Sequence, residues 1–225
     1  MKNFLFIIIL LLSACSPSDD TKKSDDNLSN TNVKTSDNAK KSENNSITKT
    51  KTSNEIKRII VGNKDAKITI IAFESLTCGH CANFHKDVYP ELKRDYLDTG
   101  LAKIEFRHFP LDVMALNASK ISQCKNNGDS NILNILFANQ QKWVKGSSAE
   151  EANKNLQKFL TDEGIDINFE NCINNKEIED FVLNDRINGV KYFKINSTPA
   201  IIINNEKFEK TLNYKNLKKA LEKLI

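Results

Sequence analysis

Cys78 and Cys81, separated by Gly79 and His80, are the residues of this sequence best placed to do chemistry. Two sulfurs at this spacing close a small redox-active disulfide or supply one edge of a metal site. A structural zinc site takes four ligands, and the sequence holds no second paired cysteine motif. A soft metal held by the pair and a nearby histidine stays open as an alternative.

The flanking residues decide how reactive the sulfurs are. Lys67 to Phe73 is a short apolar run rich in β-branched residues and reads as a buried strand. Ala82 to Leu97 reads as a helix, with Phe84, Val88, Leu92 and Tyr96 at helical spacing. Cys78 therefore falls at or near a helix N-terminus. Free backbone N–H groups and the helix dipole stabilise a thiolate there and lower the cysteine pKa.

Around this centre the chain of 225 residues divides by composition. Lys2 followed by the apolar run Phe4 to Leu12 reads as a targeting segment too short to be a permanent membrane span. It ends at Leu12-Ser13-Ala14-Cys15. Residues 16–54 are almost all Ser, Thr, Asn, Asp and Lys, with no aromatic residue. Such a segment cannot bury enough apolar surface to offset its ordering entropy, and it reads as a disordered tether spanning roughly 35 Å. Residues 55–225 are long enough for one domain with its own core. The net charge of +4 is modest, and no basic–aromatic cluster points to a nucleic-acid partner.

Within that domain, Glu55 to Val61 reads as a first strand and Leu101 to His108 as another. Helices are expected at 113–125, 130–143 and 149–163, with a further stretch from Asn168 to Tyr192, broken at turn signals such as Lys145-Gly146 and Glu163-Gly164. Ala200 to Ile203 and Lys207 to Glu209 read as a hairpin around Asn204-Asn205, and Tyr214 to Leu224 as a closing amphipathic helix. The order is strand, strand, helix, strand, helical insert at about 111–192, strand, strand, helix.

Three motifs in this order carry a resemblance. Phe73-Glu74-Ser75-Leu76-Thr77-Cys78-Gly79-His80-Cys81 follows a strand, Phe106-Arg107-His108-Phe109-Pro110-Leu111 ends one, and Ser197-Thr198-Pro199-Ala200 precedes one. Together with the insert, they resemble the DsbA-like branch of the thioredoxin superfamily. The resemblance implies an α/β thioredoxin fold with an inserted helical subdomain and a cis Thr198–Pro199 bond in a loop that pairs with the substrate backbone. It implies Cys78 as nucleophile and Cys81 as leaving and resolving sulfur. His80 is then expected to stabilise the Cys78 thiolate. It implies no bound cofactor, reduced exported proteins as substrates, and a membrane quinone-linked partner that reoxidises the pair. There is one departure. Thioredoxins place a buried acid six residues before the first cysteine, where this chain has Ala72. Glu74 faces the same side if the strand continues, and no catalytic role is assigned to it.

Leu12-Ser13-Ala14-Cys15 likewise resembles the lipobox of bacterial lipoproteins, which implies a lipidated Cys15 and a membrane-anchored protein in the periplasm. An ordinary secretory signal is the alternative. Either exports the chain to a compartment where disulfides persist. Of five cysteines, Cys124 and Cys172 then remain, as a second disulfide or as two buried thiols. His85 reads as surface or packing and His108 as structural. Leu136, Phe137 and Trp143 read as core, and Phe109 and Met114 as candidate lining of an apolar surface. The function expected is a disulfide oxidase. A disulfide isomerase or reductase of the same fold is the first alternative, and a thiol-based metal-carrying lipoprotein the second.

Overall fold

The computed structural model describes residues 56–124, 126 and 128–225. The targeting segment, Cys15 and the whole of the tether therefore lie outside the described residues. Five strands form one sheet: β1 (Ile59–Gly62), β2 (Ile68–Glu74), β3 (Ala102–His108), β4 (Ala200–Ile203) and β5 (Glu206–Lys207), in the order β1-β3-β2-β4-β5. β2 and β3 run parallel, and the other neighbours are antiparallel. This is a thioredoxin fold with a helical insertion between β3 and β4.

β2 is central because it can be buried on both faces. Ile70 and Ala72 face one core with Ile104, Phe106 and Ile203, and Ile71 and Phe73 face a second with Phe109, Ile195 and Ile202. A continuous apolar run, rather than an alternating one, is what a strand covered on both sides requires. β5 is an exposed edge that carries Glu206 and Lys207, charges that discourage pairing with another chain.

The crossover from β2 to β3 is not one helix. It begins earlier than the periodicity predicts, as α1 (Gly79–Asp87), and breaks at Val88. A short α2 (Tyr89–Leu92) and a π-helical turn (Lys93–Leu97) follow. Pro90 accounts for the break: it has no N–H to donate, and its ring crowds the carbonyl four residues back. The turn closes through Asp98 N–H to Lys93 O at 2.8 Å.

The insert comprises α3 (Val113–Cys124), α4 (Asn131–Ala138), α5 (Gln140–Trp143), α6 (Ala149–Asp162), α7 (Phe169–Ile173) and α8 (Lys176–Phe193). Asn139, with non-helical backbone, splits the helix expected at 130–143. The stretch expected from Asn168 to Tyr192 divides because Asn168 and Asn175 each cap a helix, accepting from Asn171 N–H and Ile178 N–H. A disulfide joins Cys124, at the end of α3, to Cys172 in α7. Gly189 lets α8 lie close on the sheet, for a Cβ there would meet the Phe73 ring at 2.9 Å. Leu136, Phe137, Trp143 and Leu156 of the insert share one core with Ile70 and Phe106 of the sheet.

The C-terminal hairpin turns at Asn204-Asn205, both with positive φ (46° and 71°). A two-residue turn of this kind pairs the residues on either side of it. Glu206 therefore faces Ile203, and β5 starts one residue before the expected Lys207. The closing helix α9 (Tyr214–Leu221) ends three residues short of Leu224. Among the described residues no helix is long and apolar enough to cross a membrane.

Candidate active site

The turn between β2 and α1 carries the two sulfurs. Cys78 sits at the N-cap with extended backbone (φ −78°, ψ 116°) and is half-buried, whereas Cys81, in the first turn of α1, is fully buried. Both are free thiols. The Cys78 carbonyl starts the helix ladder, accepting from the N–H groups of Cys81 and Ala82 at 3.1 Å each.

Burial raises both thiols, but hydrogen bonding outweighs it at Cys78 and adds to it at Cys81. The Cys78 pKa falls to about 5: the Cys81 thiol contributes most, followed by Thr198 and the backbone N–H groups of Cys81 and His80. All of these donate to the ionised sulfur, the arrangement that makes a cysteine a nucleophile near neutral pH. His80 enters this set through its backbone, while the residue itself is exposed. Cys81 is held far above the ordinary thiol range, first by burial, then by its bond to Cys78 and by the charge of Glu74.

The loop before β4 completes the site. The Thr198–Pro199 bond is cis, and the Cys78 thiol donates to Thr198 O at 3.3 Å. The Thr198 hydroxyl is buried with no hydrogen-bond partner, so it is free to serve the Cys78 thiolate. Cys78, Cys81, His80, Thr198 and Pro199 are thus brought together by the β2–α1 turn and the loop before β4. The Cys124–Cys172 bridge belongs to the insert, and Cys15 lies outside the described residues.

Three features of the site were not apparent from the sequence. The first is a buried pair. Glu74, at the end of β2 and 4% exposed, bonds His85 Nε2 at 2.9 Å. The His85 ring is clasped between Phe137, 4.1 Å away, and Phe106. His85 is therefore packed and not superficial. Burial pushes the Glu74 carboxyl up while His85 pulls it back, and Glu74 Oε1 has no hydrogen-bond partner. Ala72, at the position thioredoxins give to an acid, is plain core. The second is a tie from Thr77 Oγ1 to Asp112 Oδ2 at 2.7 Å, just before α3. The third is Gln140, whose side-chain amide reaches the carbonyls of Leu76 and Cys78. An open groove of about 990 Å³ runs past His80, lined by Asn83, Lys86, Asn139 and Lys142 among others.

Two other residues are placed differently from their reading. Phe109 lines no surface: it is 3% exposed and packs edge-on to Phe73 at 6.4 Å. Met114 is half-buried against the main core. His108 is buried, bonded to Gln123 at 2.8 Å and remote in role from the sulfurs. Among the described residues no group of three or more His, Cys, Asp or Glu side chains is arranged to hold a metal ion.

Comparison with known proteins adds an independent line. The family model described as Thioredoxin matches residues 53–223. A putative protein-disulfide oxidoreductase of Rickettsia bellii is 28% identical over 174 residues, which are 74% of this chain and 64% of that protein. This chain therefore spans less than two thirds of the length of such relatives. Disulfide bond formation protein D of Bacillus subtilis is 25% identical, over 73% of this chain and 75% of its own. The crystal structure of Wolbachia pipientis alpha-DsbA1 matches with a TM-score of 0.66 and 30% identity, over 74% of this chain and 90% of that one.

Proposed function

This chain belongs to the thioredoxin family, in its DsbA-like branch, and on that premise we propose that it is an exported protein-disulfide oxidoreductase that passes its Cys78–Cys81 disulfide to substrate proteins. The observation that carries this reading is the asymmetry of the two sulfurs. One is half-exposed, acidic and beside the cis-proline loop, and the other is buried and held protonated.

The steps follow from that asymmetry. In the oxidised protein a substrate thiolate attacks Cys78 Sγ, and the Cys78–Cys81 bond breaks. Its electron pair goes to Cys81 Sγ, which takes up a proton because its buried thiolate is unfavourable. A second substrate thiolate attacks the substrate sulfur of the mixed disulfide. Cys78 leaves as the thiolate that its surroundings favour. The substrate loses two electrons and the protein gains them. Stabilising the reduced form in this way makes the disulfide more oxidising, which favours oxidase over reductase. A quinone-linked membrane partner then takes the electrons back. Export by the N-terminal segment, lipidation at Cys15 and a periplasmic location belong to the same proposal, as does substrate pairing at Thr198 and Pro199.

The test is transfer to a peptide with two thiols. The oxidised protein is expected to yield one peptide disulfide for each Cys78–Cys81 pair reduced, and Cys78→Ser to yield none. Cys81→Ala, offered a peptide disulfide, is expected to stop as a mixed disulfide on Cys78, visible by mass spectrometry. An adduct at another cysteine, or an unchanged dithiol peptide, contradicts the reading. If the reduced protein instead carries stoichiometric soft metal and transfers no disulfide, the metal-carrier alternative takes its place.

A further inference from the structure

The insert touches the active-site turn through a side chain that the chemistry above does not use. Gln140 Nε2 donates to Leu76 O at 2.8 Å and to Cys78 O at 3.1 Å. Its two hydrogens bridge the carbonyls on either side of Thr77. Leu76 lies two residues past the end of β2, and Cys78 O opens the helix ladder.

The local structure holds this amide in place from behind. Asn139 ends α4 with non-helical backbone (φ −117°, ψ 20°), and its side chain bonds Ile135 O at 3.0 Å. That break sets Gln140 at the start of α5, above the turn. One helical turn later Trp143 is fully buried and donates to Leu136 O at 2.9 Å, fastening α5 to α4. The entropy of fixing a long glutamine side chain is thus offset in part by a rigid support. Two carbonyl acceptors then match its two donors.

We propose that Gln140 is a positioning residue for disulfide exchange: its amide clamps the turn at Cys78 so that the N–H groups of His80 and Cys81 stay aimed at the Cys78 sulfur. This rests on the functional reading above. Fixing the Cys78 carbonyl fixes the peptide plane beyond it, and with it the direction of the next N–H groups. It also occupies a partial negative charge that lies in the same residue as the thiolate. Releasing the clamp leaves the sulfur with poorer donors, and Cys78 becomes a poorer leaving group. The other groups that face this sulfur are Cys81 on its own helix, Glu74 from β2 and Thr198 from the loop before β4. The Gln140 side chain bonds none of them, only the carbonyls of Leu76 and Cys78.

The experiment is a pH titration of the Cys78 thiolate by its ultraviolet absorbance in the full chain, for the wild type, Gln140→Ala and Gln140→Glu. The expected result is a midpoint raised by about one pH unit in Gln140→Ala, the size of one lost hydrogen bond. A larger rise is expected in Gln140→Glu, which keeps the shape, loses the donors and adds a negative charge. Because Gln140→Glu is nearly isosteric, it carries the test if the alanine variant packs badly. Midpoints equal to wild type overturn the proposal, including the case where only the melting temperature falls, which marks a merely structural tie. A wild-type midpoint at the ordinary thiol value removes the functional reading, and the clamp with it. A low wild-type midpoint shared by both variants removes the clamp alone.

Discussion

Two cysteines three residues apart have opposite chemistry here because one stands at a helix N-cap and the other points into the core. That contrast was legible in part: a strand running into Cys78 and a helix running out of Cys81 place the first sulfur at the helix end. The contacts that complete the setting were not legible: Glu74 and His85 flank the motif but meet only in the fold, and Gln140 and Thr198 come from far along the chain. Glu74 meets His85 only where the end of β2 and α1 come together in the fold, and Gln140 reaches Cys78 across 62 positions. A lone glutamine in a helical stretch has no sequence signature for this. His108 shows the same dependence on context and makes a prediction. Burial, with Arg58 nearby, lowers its pKa to about 3. Between about pH 6.5 and pH 3 the unfolded chain binds a proton that the folded chain refuses, so stability falls as the pH falls through that window. His108→Gln removes this proton uptake. The urea midpoint of the variant is expected to drop less than that of wild type between pH 7 and pH 4. Equal drops in the two proteins would show that His108 does not set the acid limb.

At the scale of elements, the order was readable and the breaks were not. Hydrophobic periodicity runs through Val88 and Asn139 without interruption, so it cannot show where the axis of a helix changes. Pro90 was the available signal for the first break. Asn139 gave only a weak one, and it is the break that sets α5 and hence Gln140. Turn chemistry proved more exact: Asn204-Asn205 at positive φ fixes the hairpin register to the residue. The insert also carries the Cys124–Cys172 bridge, which closes a loop over a separation of 48 residues and ties α3 to α7. Loop-closure entropy for that length is worth about 4 kcal/mol. The double variant Cys124→Ala with Cys172→Ala is expected to lose up to about that much unfolding free energy in urea. A midpoint unchanged from wild type would show that the bridge does not stabilise the native state.

For the whole molecule, the insert and the sheet are not independent bodies, since Trp143, Leu136 and Leu156 share a core with Ile70 and Phe106. The bonds of Gln140 and Asp112 to the β2–α1 turn run through the same contact. Whole-chain composition separated the polar stretch at 16–54 from the domain at 55–225, and three short motifs in order pointed to the fold. The most direct test of the account is the reduction potential of the Cys78–Cys81 pair, measured at equilibrium against a thiol buffer with the Cys124–Cys172 bridge intact. The account predicts a value between roughly −120 and −200 mV, among oxidases and isomerases, because the Cys78 thiolate stabilises the reduced form. A value of about −270 mV or lower would place the pair with thioredoxin-like reductants and contradict the proposed direction of electron flow.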